Sequence, residues 1–407
     1  MSQLRFDDWD DLPTPAVSPP AAPAPQVPAA APSGMGSALP GLVPPQLAAA
    51  AAIAPAAPTL GMGAPQAPAA QLSLAPINPE DKRVVNGKAD INQLAPFKYP
   101  WAWEFFLNAN RNHWTPLEIS MAQDVHDYNH KLNAAERHVF ENVLSYLTTS
   151  DILAMRNIGL AVMEKMSAPE LQIYQARQVY EEALHTWTYQ HCIESLGLDQ
   201  KEIYNRYRVV PEIHGKIALA NRRLERVMRS DFDLTDRDNL HEFALSYLFF
   251  AGIFEGCWFY NGFTPIFALQ RRGLMKGTAE QLQYIMRDEV LHCAFGIRVV
   301  RQLLQEENLT LDPVQVKALW EEAEAAESAY AGYILREPIL GYNADLHRDQ
   351  FRFIANRRAR QLGLAEPFPG AENVLPWLDE QANMRKEKNF FETRVTEYQT
   401  GGALAWD

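Results

Sequence analysis

A glutamate followed three residues later by a histidine occurs twice in this chain, as Glu182-Ala-Leu-His185 and Glu289-Val-Leu-His292. No other histidine in the sequence has a glutamate at that position. Residues at i and i+3 project from the same face of an α-helix, so each motif presents a carboxylate and an imidazole together. Each motif also lies inside a long apolar stretch of helical period. The repeat therefore predicts two helices that offer ligands to one metal site.

Two further acidic residues lie in apolar sequence, one before each motif. Asp151 stands in TTSDILAMRNIG, and Glu255 stands in LFFAGIFEGCWFYNGF. A buried carboxylate is costly unless it is paired or ligated, which favours a ligand role for Glu255; for Asp151 a surface position is the common alternative. One such carboxylate from each of two helices, added to two Glu-x-x-His helices, makes the dinuclear site of ferritin-like proteins. Carboxylates and imidazoles suit two iron or manganese ions, whereas a closed zinc site more often uses cysteine.

Other acidic residues and histidines supply a comparison. Asp127 precedes His130, and Asp238 precedes His241, at the same spacing but in polar sequence, so we expect both pairs to be solvated. Asp288 directly precedes Glu289, and it is a candidate to orient a ligand histidine through the second ring nitrogen. The alternative for Asp288 is a salt bridge on the helix surface.

An aromatic set shares the faces of these ligands. Tyr189 follows His185 by four residues, which places a phenol beside the predicted metals. Phe259 and Phe263 follow Glu255 at intervals of four and could separate that phenol from water. An aromatic stripe at helical spacing is more often ordinary core, and the two interpretations are compatible because a phenol shielded from water also needs a dry core.

The elements that must position these residues are helical. Apolar spacing predicts a helix from about Ala134 and further helices over about 168–196, 210–229, 237–271, 276–306, 313–336 and 346–362. Thr115-Pro116-Leu117-Glu118 has the residues of a helix start, and Ser167-Ala168-Pro169-Glu170 is a close variant. No stretch alternates at period two, so the sequence predicts an all-α, ferritin-like helical bundle.

Composition divides the chain into three predicted segments. Residues 1–85 hold more than half of the 28 prolines, and we expect a disordered Pro/Ala-rich segment; 90–380 should form the metal-binding domain, and 381–407 a flexible tail. Three cysteines in apolar helices predict reduced thiols. A net charge of −13 argues against a nucleic-acid surface, and neither a signal peptide nor a membrane span is evident, so we expect a cytoplasmic protein.

Together these residues resemble the small, radical-generating subunit of class I ribonucleotide reductase, over roughly residues 90–407. YEEALHTWTY, IFEGCWFYNGF and RDEVLH resemble three of the family's ligand segments, and TTSD carries the first ligand. The resemblance implies six metal ligands: Asp151, Glu182, His185, Glu255, Glu289 and His292. It also implies a radical on Tyr189, with a hydrophobic pocket formed by Phe259, Phe263 and Ile285.

The same resemblance implies a function and a partner. Tyr189 would be oxidised to a neutral radical with O₂ at the metal pair, and Trp114, Asp288 and Tyr398 would relay the oxidation to a large catalytic subunit. That subunit, dependent on thioredoxin or glutaredoxin, would reduce ribonucleoside diphosphates to deoxyribonucleotides. Leu404 and Trp406 would dock the tail on it, since a buried tryptophan is a frequent hot spot. We also expect a homodimer.

The sequence leaves alternatives open for the identity of the metals and for the enzyme class. Surrounding sequence such as CIESLGLD also resembles a manganese–iron branch, in which phenylalanine replaces the radical tyrosine and glutamate the first aspartate. Tyr189 and Asp151 favour two iron ions; a manganese–iron or dimanganese pair stays open. A di-iron oxidase or hydroxylase would share the site without needing Tyr398, and a ferritin-like metal-storage protein would not need a walled Tyr189.

Overall fold

The computed structural model describes residues 78–88 and 93–378. The α-helices, in chain order, are α1 (Pro100–Ala109), α2 (Ala122–His130), α3 (Ala134–Asn157), α4 (Met163–Lys165), α5 (Pro169–Ser195), α6 (Gln200–Val209), α7 (Pro211–Leu224), α8 (Arg237–Leu248), α9 (Tyr260–Arg271), α10 (Lys276–Glu306), α11 (Pro313–Ile334) and α12 (Ala344–Leu362). Two π-helical segments, Ile158–Val162 and Phe249–Phe259, follow α3 and join α8 to α9. Short 3₁₀ turns occur at Pro79–Asp81 and Pro116–Glu118. In the described part of the chain the β-structure is one isolated bridge, between Ile339 and Tyr342, which confirms the all-α prediction.

The centre of the bundle is formed by α3, α5, α10 and the π-helical segment that leads into α9. Local sequence signals begin these helices. Asn133 caps α3, accepting a hydrogen bond from the Glu136 amide while the Glu136 carboxylate accepts one from the Asn133 amide. Pro169 begins α5, where its missing N–H costs nothing. The predicted helices from Ala134 and over 276–306 therefore begin where the sequence placed them.

Two glycines bring α10 against the segment 249–259. A Cβ on Gly296 would lie 2.4 Å from the Cβ of Ala251, and one on Gly256 would lie 2.9 Å from the Cys293 sulfur. Both distances are shorter than side-chain carbons tolerate, so only glycine permits this approach. Because the two elements approach so closely, Glu255 faces the Glu-x-x-His motif of α10.

The first described residues correct the predicted boundary of the N-terminal segment. Val84 and Val85 lie within the predicted disordered range 1–85, yet both are fully buried. Lys82 is buried as well, and its ammonium pairs with Glu170 at 3.3 Å. The Ser167 hydroxyl accepts the Gly87 N–H at 2.9 Å, so it anchors this segment and does not cap α5. Packing against the bundle therefore begins by Lys82, and residues 1–77 lie outside the described residues.

Other local predictions were wrong because tertiary contacts outweighed the sequence signal. Thr115 starts one 3₁₀ turn, with no side-chain cap, and not an α-helix. A helix at Gln200–Val209 was not predicted, and the next one ends at Leu224, before residue 229. Asp127 is buried, where it accepts hydrogen bonds from the Gln123 side chain and the Met275 amide, although His130 is exposed as expected.

The continuous helical run Arg237–Arg271 is long and apolar enough to cross a membrane by composition alone. Within its most apolar window, 94% of the residues are buried inside the bundle. Burial in the core accounts for this apolar character, as in the central helix of a soluble protein.

A buried cluster of charged side chains joins α7, α11 and α12. The Lys216 ammonium pairs with Glu327, whose other oxygen lies 2.6 Å from His347 Nε2. The Lys216 nitrogen lies 3.7 Å from the ring centroid of Tyr146 and 4.8 Å from that of Trp258. Burial lowers the pKa of Lys216 to about 8, whereas the Lys216 and His347 charges overcome burial and lower the pKa of Glu327 to about 2. Every ionised group here has a partner.

Removing one charged partner from this cluster should lower the stability of the bundle. We expect Lys216→Met to lower the free energy of unfolding by roughly 3–5 kcal/mol, because Glu327 would lose its compensating charge in the core. The double change Lys216→Met with Glu327→Met should recover part of that loss. Urea denaturation of the metal-free protein measures both, and a loss below about 1 kcal/mol in the single variant would contradict the structural role.

The pH dependence supplies a check on the same variants. Because the pKa of Glu327 is lowered from 4.5 to about 2, its contribution to stability is present above pH 4.5 and is lost as the pH falls toward 2. Lys216→Met removes a cause of that lowering, so this acid-dependent loss should shrink.

Candidate metal centre

Six side chains predicted as ligands meet in one buried chamber between four helical elements. Two groups of ligand atoms form, and within each group the atoms lie within 4.8 Å of one another. The first group is Asp151, Glu182, His185 and Glu289; the second is Glu182, Glu255, Glu289 and His292. Glu182 and Glu289 belong to both groups, so the six residues would offer ligands to two adjacent metal positions. All six side chains are at most 1% exposed.

The chamber contains polar atoms that the described residues do not satisfy. Within 78–88 and 93–378, the buried atoms without a hydrogen-bond partner include Asp151 Oδ2, both Glu182 carboxylate oxygens, His185 Nδ1, Glu255 Oε2 and Glu289 Oε1. An unsatisfied buried oxygen costs about 1–3 kcal/mol, and more if it is charged. A set of orphaned carboxylate oxygens facing two imidazole nitrogens has the donor chemistry of a divalent metal pair. The residues present therefore fit two ions.

Electrostatics within the chamber lead to the same conclusion. Burial and the neighbouring Glu182 and Glu289 carboxylates raise the pKa of Glu255 well above its ordinary range, and burial with Glu182 raises that of Asp151. Burial also disfavours the Glu289 carboxylate, but the His292 charge and histidine hydrogen bonds outweigh it and lower the pKa of Glu289. The carboxylates repel one another at close range unless cations separate them.

The two histidines direct equivalent nitrogens at these carboxylates. His185 Nδ1 lies 3.2 Å from Asp151 Oδ1, and His292 Nδ1 lies 3.1 Å from Glu182 Oε1. Burial lowers the pKa of each histidine, but the surrounding carboxylates outweigh burial and raise it well above its ordinary range. Protons on these rings therefore offset the negative charge when no metal does, and metal binding must displace them.

The outer nitrogens of the two histidines contact a second pair of acids. His185 Nε2 lies 3.1 Å from Asp288 Oδ2, and His292 Nε2 lies 2.9 Å from Glu181 Oε2. Burial raises the pKa of Glu181, while the His292 hydrogen bond opposes that shift. Glu181 was missed from the sequence, although one signal was present: an acid directly precedes each Glu-x-x-His motif. Each of these acids contacts the histidine of the other motif.

Tyr189 lies beside the first ligand group. Its hydroxyl is 3.4 Å from Asp151 Oδ1, and the side chain is fully buried. Burial, followed by the Asp151 charge, raises the pKa of Tyr189 well above its ordinary value. Phe259, Phe263 and Ile285, the predicted pocket residues, are also fully buried, and the two phenylalanine rings stack at 6.2 Å.

Trp114 is joined to the same group through Asp288. The Trp114 indole N–H donates to Asp288 Oδ2 at 3.3 Å, and the Asn112 amide donates to Oδ1 at 2.5 Å. The indole also stacks on Tyr284, with ring centroids 5.4 Å apart. Asp288 thus links His185 to an aromatic side chain, and its burial excludes the surface salt bridge considered from the sequence. The predicted tail residues Tyr398, Leu404 and Trp406 lie outside the described residues.

A family model for the small chain of ribonucleotide reductase matches residues 91–376, most of the chain. The chain belongs to the ribonucleotide reductase small-chain family. A curated member of the family, the ribonucleoside-diphosphate reductase subunit beta of Chlamydia pneumoniae, is 39% identical over 331 residues, covering 80% of this chain and 95% of that relative. The protein is thus an oxidoreductase subunit, and its family implies pairing with a large subunit.

Solved structures of the family have the same fold. A putative class I ribonucleotide reductase from Bacillus halodurans superposes with a TM-score of 0.63 at 25% identity, covering 69% of this chain and 99% of that one. The R2 subunit from Clostridium botulinum gives a TM-score of 0.67 at 22% identity, with coverages of 74% and 95%. The ferritin-like bundle predicted from the sequence is therefore confirmed.

A neutral replacement at Glu255 should separate metal binding from folding. We expect Glu255→Gln to leave the metal-free protein as stable as the original or more stable, since it removes one carboxylate from a mutually repelling set. The original protein should gain stability with excess Mn(II), about 2.7 kcal/mol at one hundred times the dissociation constant, and the variant much less. Thermal unfolding with chelator and with Mn(II) measures both.

Glu164→Gln is the matched control, because Glu164 is exposed and should change neither result. An equal gain from Mn(II) in the Glu255→Gln protein would contradict the ligand role of Glu255.

Proposed function

We propose that this chain is the radical-generating subunit of class I ribonucleotide reductase and forms a stable tyrosyl radical on Tyr189. The observation that carries the proposal is the fully buried Tyr189 hydroxyl, 3.4 Å from the Asp151 carboxylate of the ligand group. A redox-active metal pair would supply, with O₂, the one-electron oxidation of the phenol. The six clustered residues would hold the two ions.

The surroundings of Tyr189 support storage of a radical. Its raised pKa keeps the phenol protonated at rest, so oxidation must remove a proton together with the electron. Asp151 Oδ1 is the acceptor its hydroxyl already contacts. Phe259, Phe263 and Ile285 are fully buried and would keep water and reductants away, since they offer no polar atom to either.

A connected set of contacts supports transfer out of the cluster. His185, Asp288 and Trp114 are joined by hydrogen-bonding distances of 3.1 and 3.3 Å. We propose that this relay continues to Tyr398 and then to the large catalytic subunit, where ribonucleoside diphosphates become deoxyribonucleotides. Leu404 and Trp406 would anchor the tail there, and thioredoxin or glutaredoxin would supply reducing equivalents to that subunit.

The two alternatives explain fewer of these contacts. A ferritin-like storage protein has no use for a buried phenol at the ligand group or for the Trp114 relay. A di-iron oxidase or hydroxylase would use the metal site but not a route toward a partner. Family membership also favours the reductase over both.

The donor set favours iron without excluding manganese. Carboxylate and imidazole ligands accept either metal, and geometry with availability decides between them. Tyr189 and Asp151 occupy the two positions at which the manganese–iron branch has phenylalanine and glutamate. We therefore propose two iron ions per chain, with a manganese–iron or dimanganese pair as the alternative.

An exposed apolar patch supports the proposed homodimer. Tyr180 and Trp187 lie seven residues apart on one face of α5 and are 54% and 44% exposed. Leu160, in the π-helical segment Ile158–Val162 that packs against α5, is 54% exposed as well. Exposed clusters of this kind mark protein interfaces. We propose that a second copy of the chain covers this patch, and that the dimer works in the cytoplasm.

Tyr189→Phe should abolish the radical and leave metal binding intact. We expect the iron-loaded, oxygenated protein to give a tyrosyl electron paramagnetic resonance signal that this variant lacks, because phenylalanine cannot form a phenoxyl radical. Tyr174→Phe is the matched control, since Tyr174 is fully buried too and its hydroxyl has no hydrogen-bond partner within the described part of the chain. Persistence of the signal in Tyr189→Phe, or its loss only in Tyr174→Phe, would move the radical to another residue.

Changes in the tail should affect turnover and not the radical. Tyr398→Phe should keep the resonance signal yet lose deoxyribonucleotide formation with the large subunit, because the relay would be interrupted. Deletion of residues 404–407 should keep the signal and weaken subunit binding by about 2 kcal/mol or more, roughly 30-fold in Kd. Activity assays and calorimetry measure the two effects. Normal turnover of Tyr398→Phe would remove it from the route.

A further inference from the structure

Glu181 has no part in the relay or the ligand set, yet it is fully buried beside them. One of its oxygens, Oε2, lies 2.9 Å from His292 Nε2. The other, Oε1, accepts a hydrogen bond from Arg177 Nε at 2.9 Å. Both oxygens are therefore occupied, and the carboxylate cannot rotate without losing one contact.

Arg177 is itself held at further points. Its Nη2 donates to the Ala109 carbonyl at 3.4 Å, and its guanidinium carbon lies 4.8 Å from the ring centroid of Tyr180. The Arg177 side chain is 11% exposed and lies one helical turn before Glu181 on α5. A planar guanidinium fixed by α1 and by an aromatic ring gives the carboxylate a rigid base.

The contact determines which nitrogen of His292 is free to bind a metal. A carboxylate only accepts hydrogen bonds, so His292 Nε2 carries a hydrogen, and Nδ1 is the nitrogen that gives up its proton when a metal binds. Nδ1 lies 3.1 Å from Glu182 and 3.2 Å from Glu289, inside the second ligand group. Carboxylates in this position orient a ligand histidine and increase its basicity.

The partners of the two orienting acids differ. Asp288, which contacts His185, is also bonded to the oxidisable indole of Trp114. Glu181 is bonded to a guanidinium, which is not oxidised under biological conditions. The hydrogen bonds that leave the second ligand group through Glu181 therefore lead to an inert cation, although that cation lies on the Tyr180 ring, and we assign them to metal binding.

We propose that Glu181, held by Arg177, is the positioning residue of the second metal position and fixes His292 with Nδ1 toward Glu182 and Glu289. The inference rests on the proposed metal centre. It gives the second position an orienting acid equivalent to Asp288 at the first. Loss of Glu181 should weaken one metal position and leave the other unchanged.

The test is titration of the full-length, metal-free protein with Mn(II), followed by calorimetry and electron paramagnetic resonance. The unchanged protein should bind two ions and give the spectrum of a coupled pair. Glu181→Ala should weaken the second binding step about 10–100-fold and, at two equivalents, give the spectrum of isolated Mn(II). Glu181→Gln should give a smaller loss than Glu181→Ala. Its single carbonyl oxygen can still accept a hydrogen bond from His292 or from Arg177, but not from both.

Controls separate this role from a general loss of structure. Glu181→Ala combined with Arg177→Ala avoids an unpaired guanidinium, and it should show the same selective loss of the second step. Two coupled ions at unchanged affinity in the alanine variants, or equal weakening of both steps, would overturn the inference. If the unchanged protein itself binds no coupled pair, the metal centre fails instead, so the two failures are distinguishable.

Discussion

Four carboxylates packed into a buried core are the constraint on which this structure depends. Asp151, Glu182, Glu255 and Glu289 are fully buried, and several of their oxygens find no hydrogen-bond partner in the part of the chain that the structure describes. A cluster of buried carboxylates is tolerated only when protons or metal ions compensate its negative charge. The helices must therefore hold the ligands at close range against their mutual repulsion. The contacts at Gly256 and Gly296 and the large aromatic core around them provide that rigidity.

The cluster around Lys216 shows what the same bundle does with charge that has a structural role. There Glu327 is paired with Lys216 and His347, and aromatic rings surround the ammonium. Its negative charge is neutralised by the protein's own side chains. At the ligand groups the protein supplies two imidazoles for four carboxylates, so the balance is left for ions. This contrast between two buried clusters in one core is a physical reason to assign binding to one and stability to the other.

Hydrogen bonds connect the two ligand groups to the rest of the molecule in two different ways. On one side Asp288 joins His185 to Trp114, which lies in the irregular segment after α1. On the other side Glu181 joins His292 to Arg177. The first connection ends in an oxidisable ring and the second in an inert cation. In the function we propose, the contact at His185 would serve radical transfer and the contact at His292 metal binding, while Tyr189 is fully buried.

The sequence by itself predicted the six candidate ligands and determined the fold class. Spacing along one helix is a local property, so Glu182 with His185, and Glu289 with His292, could be placed on common faces from the helical repeat alone. The cost of burying charge then selected Glu255. Tertiary structure alone decided which helices meet. It brings Glu181 to the histidine of the second motif and Asp288 to that of the first. It also decided the burial of Asp127 and Val84 and the 3₁₀ turn after Thr115. The π-helical segment that carries Glu255 also belongs here, because its i→i+5 bonds are stabilised by packing against α10 and leave no periodic signal. Contacts between helices depend on side chains distant in sequence, and no pattern within one helix encodes them.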